Sequence, residues 1–569
     1  MTFQAGVARV DITPDCIGMG MLGWGDESHR VRGVKRPLYV RVVALRAETS
    51  GNRLLFGCVE ICFITEALRA SVLETLAKQH SELKIRDEEL LLTATHSHNA
   101  PGGHSRYLLY NLSIPGFQPQ ILKTYSDGIV AAIVAACQSM EPAHVRLSSG
   151  YFAADSKVAF NRSPEAWEQN PEARSSVNVD REMVLLRFDS VTGKPLGCVN
   201  WFPVHATSIH RDFHYIHSDN KGVAADALEA DARKMGNTGF VSVFAQGAAG
   251  DITPNFMMHP GLRDLRGPYA DDEKSCEFNA NLQAELARKL YHDAARSEPL
   301  AGEIESIIER HDFSRIDVAP EFAGGKQGVR TAPGVIGCNF LRGTAEGRGA
   351  PGWLVWLGIG LSRLMTYVRY FGIVLAGHKI KPPWHSDACH GRKITFMESG
   401  RGRIFGITRL AGFFVPSFFH PTIRNLKQIA RDPITSRAPF TPQILPLQFV
   451  KLGPLALIAV PAELTTVAGR RLRNTVAERI RDRGFERIIL CGYSNAYAGY
   501  VTTYEEYQLQ LYEGASTHFG MWTLAGYQTA FSGLCRRMLS RAPKEVQAEP
   551  GGNHVGNVGE KRGSIGVSR

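Results

Sequence analysis

Short apolar runs alternate with amphipathic stretches along the first 300 residues of the chain. The strand-like runs are rich in β-branched residues, and the helix-like stretches carry apolar residues three and four positions apart. The clearest examples are 39–47 and 53–63 for strands, and 66–80, 121–140, 223–235 and 278–297 for helices. The alternation resumes over 445–540, where 462–484 is strongly amphipathic. This pattern predicts an α/β fold, with a large mixed or parallel sheet covered by helices on both faces.

Two segments interrupt the alternation. Residues 321–352 are rich in Gly, Pro and polar residues and predict a surface loop. Residues 353–377 form a long apolar stretch that contains Arg363 and Arg369. Each arginine near a bilayer centre costs roughly 2.5–3.5 kcal/mol, whereas Trp353 and Trp356 suit a membrane interface. The stretch is therefore compatible with a buried core helix, with a helix that lies in the lipid interface, or with a membrane span.

Composition restricts the partners. The formal net charge is +10, with a pI of about 9.1, which could favour anionic membranes or nucleic acid. No RNA-binding signature, zinc-finger spacing or long Lys/Arg block accompanies that charge, so no nucleic-acid partner is expected. The first residues lack a basic region followed by an apolar core, so no secretory signal is predicted. We expect a cytoplasmic or peripheral membrane protein, although a mature secreted form would also fit.

The ten cysteines are scattered along the chain, and no CxxC pair occurs. A cysteine zinc site is therefore not expected. Cys58, Cys62, Cys137, Cys198 and Cys491 lie in apolar runs and are typical of buried thiols. Disulfides among Cys276, Cys338 and Cys389 remain open from sequence. Residues 541–569 have almost no apolar content and predict a disordered tail.

Five apolar runs end directly before polar side chains that could serve as ligands. ELLLTAT is followed by His96, GCVNWF by His205, GFVSVFAQ by Asp251, LALIAV by Glu463 and RIILCGYSNAY by Tyr500. In open α/β sheets, ligands bind beyond the carboxyl ends of the strands. Five such ends together predict one composite site, built around a metal.

The chemistry of these residues suits zinc. A catalytic zinc usually has three protein ligands and a water, and imidazole is a favoured ligand. The His96/His98 pair alone is weak evidence, since structural histidines are common. The loop 99–103 that follows would let a substrate approach the backbone. His205 could be a second ligand and Glu463 a third, while Tyr500 could be a ligand or a core tyrosine. Arg162 alone would be interpreted as a surface charge.

Several segments together identify a family resemblance. They are THSHNAPGGHSRYLLYN at 95–111, NRSPEAW at 161–167, NWFPVHATS at 200–208, HSDNKG at 217–222, FAQGAAGDITPN at 244–255, VPAELTTVAGRRLR at 460–473 and SNAYAGYVTTYEEYQLQLYEGAST at 494–517. The chain resembles the neutral (non-lysosomal) ceramidase family, whose members hydrolyse the amide bond of N-acylsphingosines at a zinc centre. The order and spacing of the matching segments agree with those of the family to about residue 540. One hydrolase domain over 1–540 is therefore expected, with an apolar insertion near 353–377.

The resemblance implies a role for each matched residue. The implied zinc ligands are His96, His205, Glu463 and Tyr500. The implied catalytic residues are His98, Arg162, Thr253 and Tyr512. Thr253 stands where the family has Ser, and the flanking residues 246–249 also differ. The C-terminal β-sandwich of the family has no counterpart in the sequence.

The expected function is zinc-dependent hydrolysis of ceramide to sphingosine and a free fatty acid, with contact at a membrane surface. His98 would accept a proton from water or donate one to the leaving amine. Zinc hydrolysis of another N-acyl lipid or a small amide is the nearest alternative. A non-catalytic lipid-binding homologue is the alternative from another class.

Overall fold

The computed structural model describes residues 3–376, 389–404 and 439–540, and its centre is an eight-stranded sheet. The strands are β1 (Phe3–Asp11), β2 (Tyr39–Ala47), β3 (Arg53–Val59), β4 (Leu90–Ala94), β5 (Glu141–Tyr151), β6 (Glu182–Ser190), β7 (Pro195–Trp201) and β8 (Val241–Ala245). Their order across the sheet is β8-β7-β6-β5-β1-β2-β3-β4.

The large sheet is mixed, as the alternation predicts, but it is mainly antiparallel. Only the outer pairs β3/β4 and β7/β8 run parallel. The sheet is not parallel, the other form that the sequence allows, because β2 and β3 are joined by a short turn, as are β6 and β7, and β1 pairs antiparallel with β2 across the connection 12–38. Short turns can join only antiparallel neighbours.

A second sheet of four strands packs against the first. It consists of β9 (Ile304–Asp312), β10 (Ile444–Leu452), β11 (Leu455–Ala459) and β12 (Arg487–Cys491), in that order, with β11 and β12 parallel. Side chains such as Val43, Phe56 and Leu186 from the large sheet share one apolar cluster with Val450 and Leu457 from the small sheet. The inner faces of both sheets therefore meet sheet to sheet.

Helices cover only the outer faces, so the expectation of helices on both faces of one sheet is wrong. The longer helices are α1 (Glu66–Gln79), α2 (Pro119–Gln138), α3 (Asp219–Lys234), α4 (Asp272–Ala294), α5 (Gly352–Leu375), α6 (Thr466–Arg479) and α7 (Thr523–Ser540). The first four cover the large sheet, and α6 and α7 cover the small one. The result is a four-layer arrangement of helices, sheet, sheet and helices.

Short elements join these layers. In the described ranges, the remaining α-helices are short: Pro164–Trp167, Tyr504–Leu509 and Tyr512–Ser516. The short strands are Met21–Leu22, Gly33–Val34, Ala100–Pro101, Phe160–Asn161, Tyr215–Ile216, Ile252–Thr253, Ile336–Gly337, Gly343–Thr344, Gly347–Arg348, Thr395–Glu398, Arg403–Ile404, Glu463–Leu464 and Tyr500–Val501. Several of them follow directly after sheet strands, where they fix the direction of the loops.

Asn495 connects the two sheets through hydrogen bonds at one edge. It lies in the loop after β12 at φ +64°, and its backbone N–H donates to Leu92 O over 2.8 Å. Its side-chain oxygen accepts from Leu92 N over 3.1 Å. The loop thus pairs with the outer edge of β4, which is the last strand of the large sheet. Both strands β4 and β12 consequently deliver their following loops to the same region.

The stretch 321–352 is not the surface loop that its composition predicts. It contains buried Ile336 and Cys338, and Glu346 is only 1% exposed. Helix α5 follows it and buries few side chains, among them Val355 and Ile359. No helix of the described ranges is long and apolar enough to cross a membrane.

Two further expectations concern cysteines and the tail. All ten cysteines lie within the described residues and none of them forms a disulfide, so the open disulfide question is settled against a bridge. The five thiols predicted to be buried are buried. The predicted disordered tail, 541–569, lies outside the described residues.

Candidate metal centre and its cavity

Two histidines enter the site from the large sheet, each oriented by backbone carbonyls. His96 follows β4 at φ +70°, and its Nδ1 lies 2.6 Å from Cys62 O. His205 follows β7, and its Nδ1 lies 2.7 Å from Ala249 O and 2.9 Å from Ile252 O. A carbonyl can only accept, so each Nδ1 carries the proton. Each Nε2 then presents a lone pair to the site, which is the form that binds a metal.

The second sheet supplies Glu463 and Tyr500 as neighbours. They follow β11 and β12, and the short strands that contain them pair in parallel, with Glu463 opposite Tyr500. Tyr497 donates a hydrogen bond to one oxygen of Glu463, and the Tyr493 hydroxyl lies 3.3 Å from the other. Burial alone would raise the pKa of the Glu463 carboxyl, but His96 and His205 bring it to about 2. The carboxylate is therefore ionised.

The ligand atoms of His96, His205 and Glu463 lie within 4.8 Å of one another. Oε2 of Glu463 is 3.5 Å from Nε2 of His96 and 3.2 Å from Nε2 of His205. Burial lowers the pKa of His96 to about 4, so that imidazole is neutral near pH 7. Nε2 of His205 is buried and has no hydrogen-bond partner among the described residues. Lone pairs that converge in this way fit a bound cation, which would offset their mutual repulsion.

His98 lies beside this cluster and borders the cavity. Its Nε2 is 3.1 Å from Nε2 of His96, and its ring packs edge-on against Trp24 at 5.0 Å. Burial lowers the pKa of His98 well below its ordinary value. Cys62 and His98 also form a second possible ligand group with His96. Cys62 is the poorer ligand, because burial raises the pKa of its thiol well above its ordinary value.

Arg162 is held between two buried carboxylates. The short strand Phe160–Asn161 pairs with Ile252–Thr253 and delivers Arg162 to the site. Its guanidinium donates to Glu346 over 2.5 Å and to Glu513 over 3.0 Å. It also donates to the Tyr500 hydroxyl over 3.0 Å. The side chain is 3% exposed, so the surface charge that sequence alone suggests is wrong. Its centre lies 5.8 Å from the Tyr512 ring.

Glu346 is a residue that sequence reasoning missed. It accepts hydrogen bonds from Thr253, from Thr207 over 3.0 Å and from Asn255 over 2.9 Å. Burial would raise the pKa of Glu346, but Arg162, His205 and the hydrogen bonds from Thr253 and Asn255 bring it to about 2. Thr253 is 1% exposed, and its hydroxyl serves Glu346. A lone acid in a Gly-rich stretch carries no sequence signal of such a role.

A cavity of about 500 Å³ opens onto the cluster. Its lining includes the predicted site residues His96, His98, Arg162, Glu463, Tyr500 and Tyr512. Apolar side chains form much of the remaining wall: Leu22, Phe63, Leu109, Leu112, Ile336, Phe340, Leu341 and Phe396. Such a chamber joins a polar floor to apolar walls and suits an amphiphilic molecule.

The glycine that brings the backbone close to this cavity does not lie in the loop 99–103, where the sequence predicts such an approach. Residues 99–103 are absent from the described cavity lining. A Cβ on Gly102 would lie 2.0 Å from Ile114, so packing explains that glycine. Gly23 does line the cavity, at φ +129°, and a Cβ there would lie 2.3 Å from the His98 ring. Gly23 is therefore the close backbone approach at this site.

Gln246 links the two histidine loops and was also missed as a functional residue. Its Nε2 donates to Thr95 O over 2.9 Å and to Val204 O over 2.6 Å. These carbonyls immediately precede His96 and His205 in sequence. The side chain is fully buried. Gln246 thereby fixes the separation of the two imidazoles.

Comparison with known proteins gives one consistent family. A family model described as neutral/alkaline non-lysosomal ceramidase, N-terminal, matches residues 3–404 and 423–529. The chain is 30% identical over 553 residues to a neutral ceramidase of Pseudomonas aeruginosa, covering 96% of this chain and 74% of that protein. It is 30% identical over 561 residues to a neutral ceramidase of Mycobacterium tuberculosis, covering 96% and 79%. A solved structure described as a ceramidase complexed with C2 matches with TM-score 0.79 and 29% identity, covering 97% of this chain and 77% of that one.

Proposed function

The chain belongs to the neutral/alkaline non-lysosomal ceramidase family, and from that premise we propose that it hydrolyses the N-acyl amide bond of ceramide, using zinc bound by His96, His205, Glu463 and Tyr500. The observation that carries this proposal is the convergence of two imidazole lone pairs and one carboxylate within 4.8 Å, next to a cavity with apolar walls.

The donor set favours zinc over other ions. Two imidazoles, a carboxylate and a phenol oxygen are ligands that zinc accepts in catalytic sites, whereas calcium and magnesium prefer oxygen alone. When bound, zinc would polarise an amide carbonyl and lower the pKa of a water nucleophile towards about 7. Burial raises the pKa of Tyr500 well above its ordinary value, so its hydroxyl keeps the proton without a metal. A bound cation and the hydrogen bond from Arg162 would both favour the phenolate form.

The surrounding side chains would orient the amide and move protons. His98 borders the cavity, and its Nδ1 is buried and has no hydrogen-bond partner among the described residues. Because burial lowers the pKa of His98, its neutral imidazole would accept a proton from water only in passing and return it to the leaving amine. Arg162 and Tyr512 also line the cavity and would bind the carbonyl oxygen or the hydroxyl groups of the lipid. Thr253 would act indirectly, through Glu346.

Metal analysis combined with a lipid assay tests the proposal. We expect about one zinc per chain, release of sphingosine and fatty acid from ceramide, and loss of activity after chelation that zinc restores. His205→Ala should remove both the metal and the activity, because it deletes one of few ligands. His144→Ala is a matched control, since His144 lies on β5, outside the ligand cluster.

The lipid assay also shows whether ceramide or another amide is the substrate. An N-acylethanolamine assayed in parallel tests whether the sphingoid hydroxyl groups are required. Full activity in metal-free protein would exclude the zinc mechanism. Zinc binding with no hydrolysis of either lipid would instead indicate a lipid-binding protein.

A further inference from the structure

Helix α5 presents a continuous apolar face to solvent. Among the described residues, eleven of the twenty-four exposed large hydrophobic side chains lie within this one helix. They recur three and four residues apart, which places most of them on one side of the helix. These residues are Trp353, Leu354, Trp356, Leu357, Leu361, Leu364, Tyr367, Val368, Phe371, Val374 and Leu375, and we call their surface the α5 face.

The opposite side of α5 attaches the helix to the cavity wall. Val355 and Ile359 are buried against a cluster that includes Leu341 and Phe396. Leu341 and Phe396 also line the cavity. The same two side chains therefore contact α5 on one side and the proposed substrate chamber on the other. The helix that carries the exposed apolar surface is thus packed directly against the wall of the cavity.

Charge on this part of the chain is of one sign. Residues 347–376 contain no Asp or Glu, and Arg348 and Arg363 are exposed there. Arg363 lies within α5, near the middle of the helix. Cationic side chains beside an apolar face are complementary to anionic lipid headgroups. They would not help two copies of the same face to associate, because like charges would meet.

Taking ceramide as the substrate, we propose that the α5 face binds the surface of a lipid bilayer and sets the cavity mouth against the lipid. Trp353 and Trp356 are 67% and 65% exposed. Indole rings at that position favour the headgroup boundary, where one part of the ring is apolar and the N–H remains hydrated. Since α5 is fastened to the domain through Val355 and Ile359, it lies along the membrane and does not cross it.

This placement solves a transfer problem. Ceramide has negligible monomer solubility because each buried CH₂ contributes about 0.8 kcal/mol to its retention in the bilayer. A lipid that moves from the membrane directly into an apolar cavity never exposes its chains to water. The α5 face would therefore contribute to the use of bilayer substrate and not to the chemical step.

The first test measures binding to vesicles that contain no substrate. The wild-type chain should sediment with phosphatidylcholine vesicles, and more strongly when phosphatidylserine is added. The double variant Trp353→Ser/Trp356→Ser should partition on the order of tenfold more weakly. Arg363→Glu should remove the preference for phosphatidylserine. Met235→Ser is the matched control, since Met235 is 80% exposed but lies at the end of α3, and its binding should equal wild type.

The second test compares activity on a soluble substrate with activity on a bilayer substrate. It distinguishes failure of this proposal from failure of the proposed function. The tryptophan double variant should hydrolyse a short, water-soluble ceramide analogue at the wild-type rate and long-chain ceramide in vesicles far more slowly. Loss of both activities in a folded variant would contradict the interfacial role. Absence of amide hydrolysis in the wild type, with vesicle binding intact, would instead contradict the proposed function alone.

Two other occupants of the α5 face give different results. If a second copy covers it, the wild type sediments as a dimer, the double variant as a monomer, and neither binds vesicles. If another segment of the chain covers it, the wild type ignores vesicles and the double variant loses thermal stability. Either outcome overturns the proposal.

Discussion

Arg162 is held in place by Glu346, a residue that the sequence alone does not identify. The guanidinium is buried and donates to Glu346, Glu513 and the Tyr500 hydroxyl. A buried charge is tolerated only when its partners offset the loss of hydration. We therefore treat Glu346 as a positioning residue, which holds Arg162 in the orientation that the cavity requires.

Glu346→Gln should lower activity while largely preserving the fold. The amide keeps the size of the side chain but removes the charge opposite Arg162, and hydrogen bonds to charged groups are worth about 1.5–3 kcal/mol. We expect kcat/KM for a soluble ceramide analogue to fall on the order of 10- to 100-fold. Glu74→Gln, at an exposed pair with Lys78, is the control. If Glu346→Gln kept the wild-type rate, the positioning of Arg162 by Glu346 would play no part in the mechanism.

A double-mutant cycle decides how Thr253 acts. Thr253→Ser keeps a hydroxyl for Glu346 and should remain active, whereas Thr253→Ala should lose activity. If Thr253 works through Glu346, adding Glu346→Gln to Thr253→Ala should cost little more than Glu346→Gln alone, because both changes break one network. Additive losses in kcat would show instead that the Thr253 hydroxyl contacts the reacting amide directly.

At the scale of elements, the strand ends could be predicted and the strand pairing could not. The apolar run before His96 and the run before Glu463 are strands β4 and β11, as their composition indicates. Which strands are neighbours depends on turn length and on distant contacts such as Asn495 with Leu92. The periodic pattern of apolar residues contains no information on turn length or on distant contacts. For the same reason Glu346 was missed, since its role arises only where its loop meets Arg162.

Gln246 offers a test of how the elements hold the site. Replacing it with Leu leaves the carbonyls of Thr95 and Val204 buried without this donor, and each unsatisfied group costs about 1–3 kcal/mol. Gln246→Leu should therefore lower both the melting temperature and zinc affinity. Thermal unfolding and metal titration measure the two effects separately. The control is Gln120→Leu, since Gln120 is exposed on α2. Unchanged zinc affinity in a destabilised Gln246→Leu would show that the bonds matter for folding alone.

At the scale of the whole molecule, the proposed ligands join two sheets. His96 and His205 follow strands of the large sheet, whereas Glu463 and Tyr500 follow strands of the small one. The apolar layer between the sheets packs them together. At the site end of that layer, however, imidazole lone pairs and a carboxylate face each other. A cation there would convert a repulsive junction into an attractive one.

Metal removal should therefore destabilise the entire domain and not only abolish activity. A ligand that binds only the folded state at a concentration 100 times its Kd adds about 2.7 kcal/mol. Calorimetry of zinc-loaded and chelator-dialysed protein should show one cooperative transition, several degrees lower without zinc. His205→Ala should melt at one temperature whether or not zinc is present, because a ligand is missing. Equal melting temperatures for loaded and chelated wild type would mean that no metal bridges the two sheets.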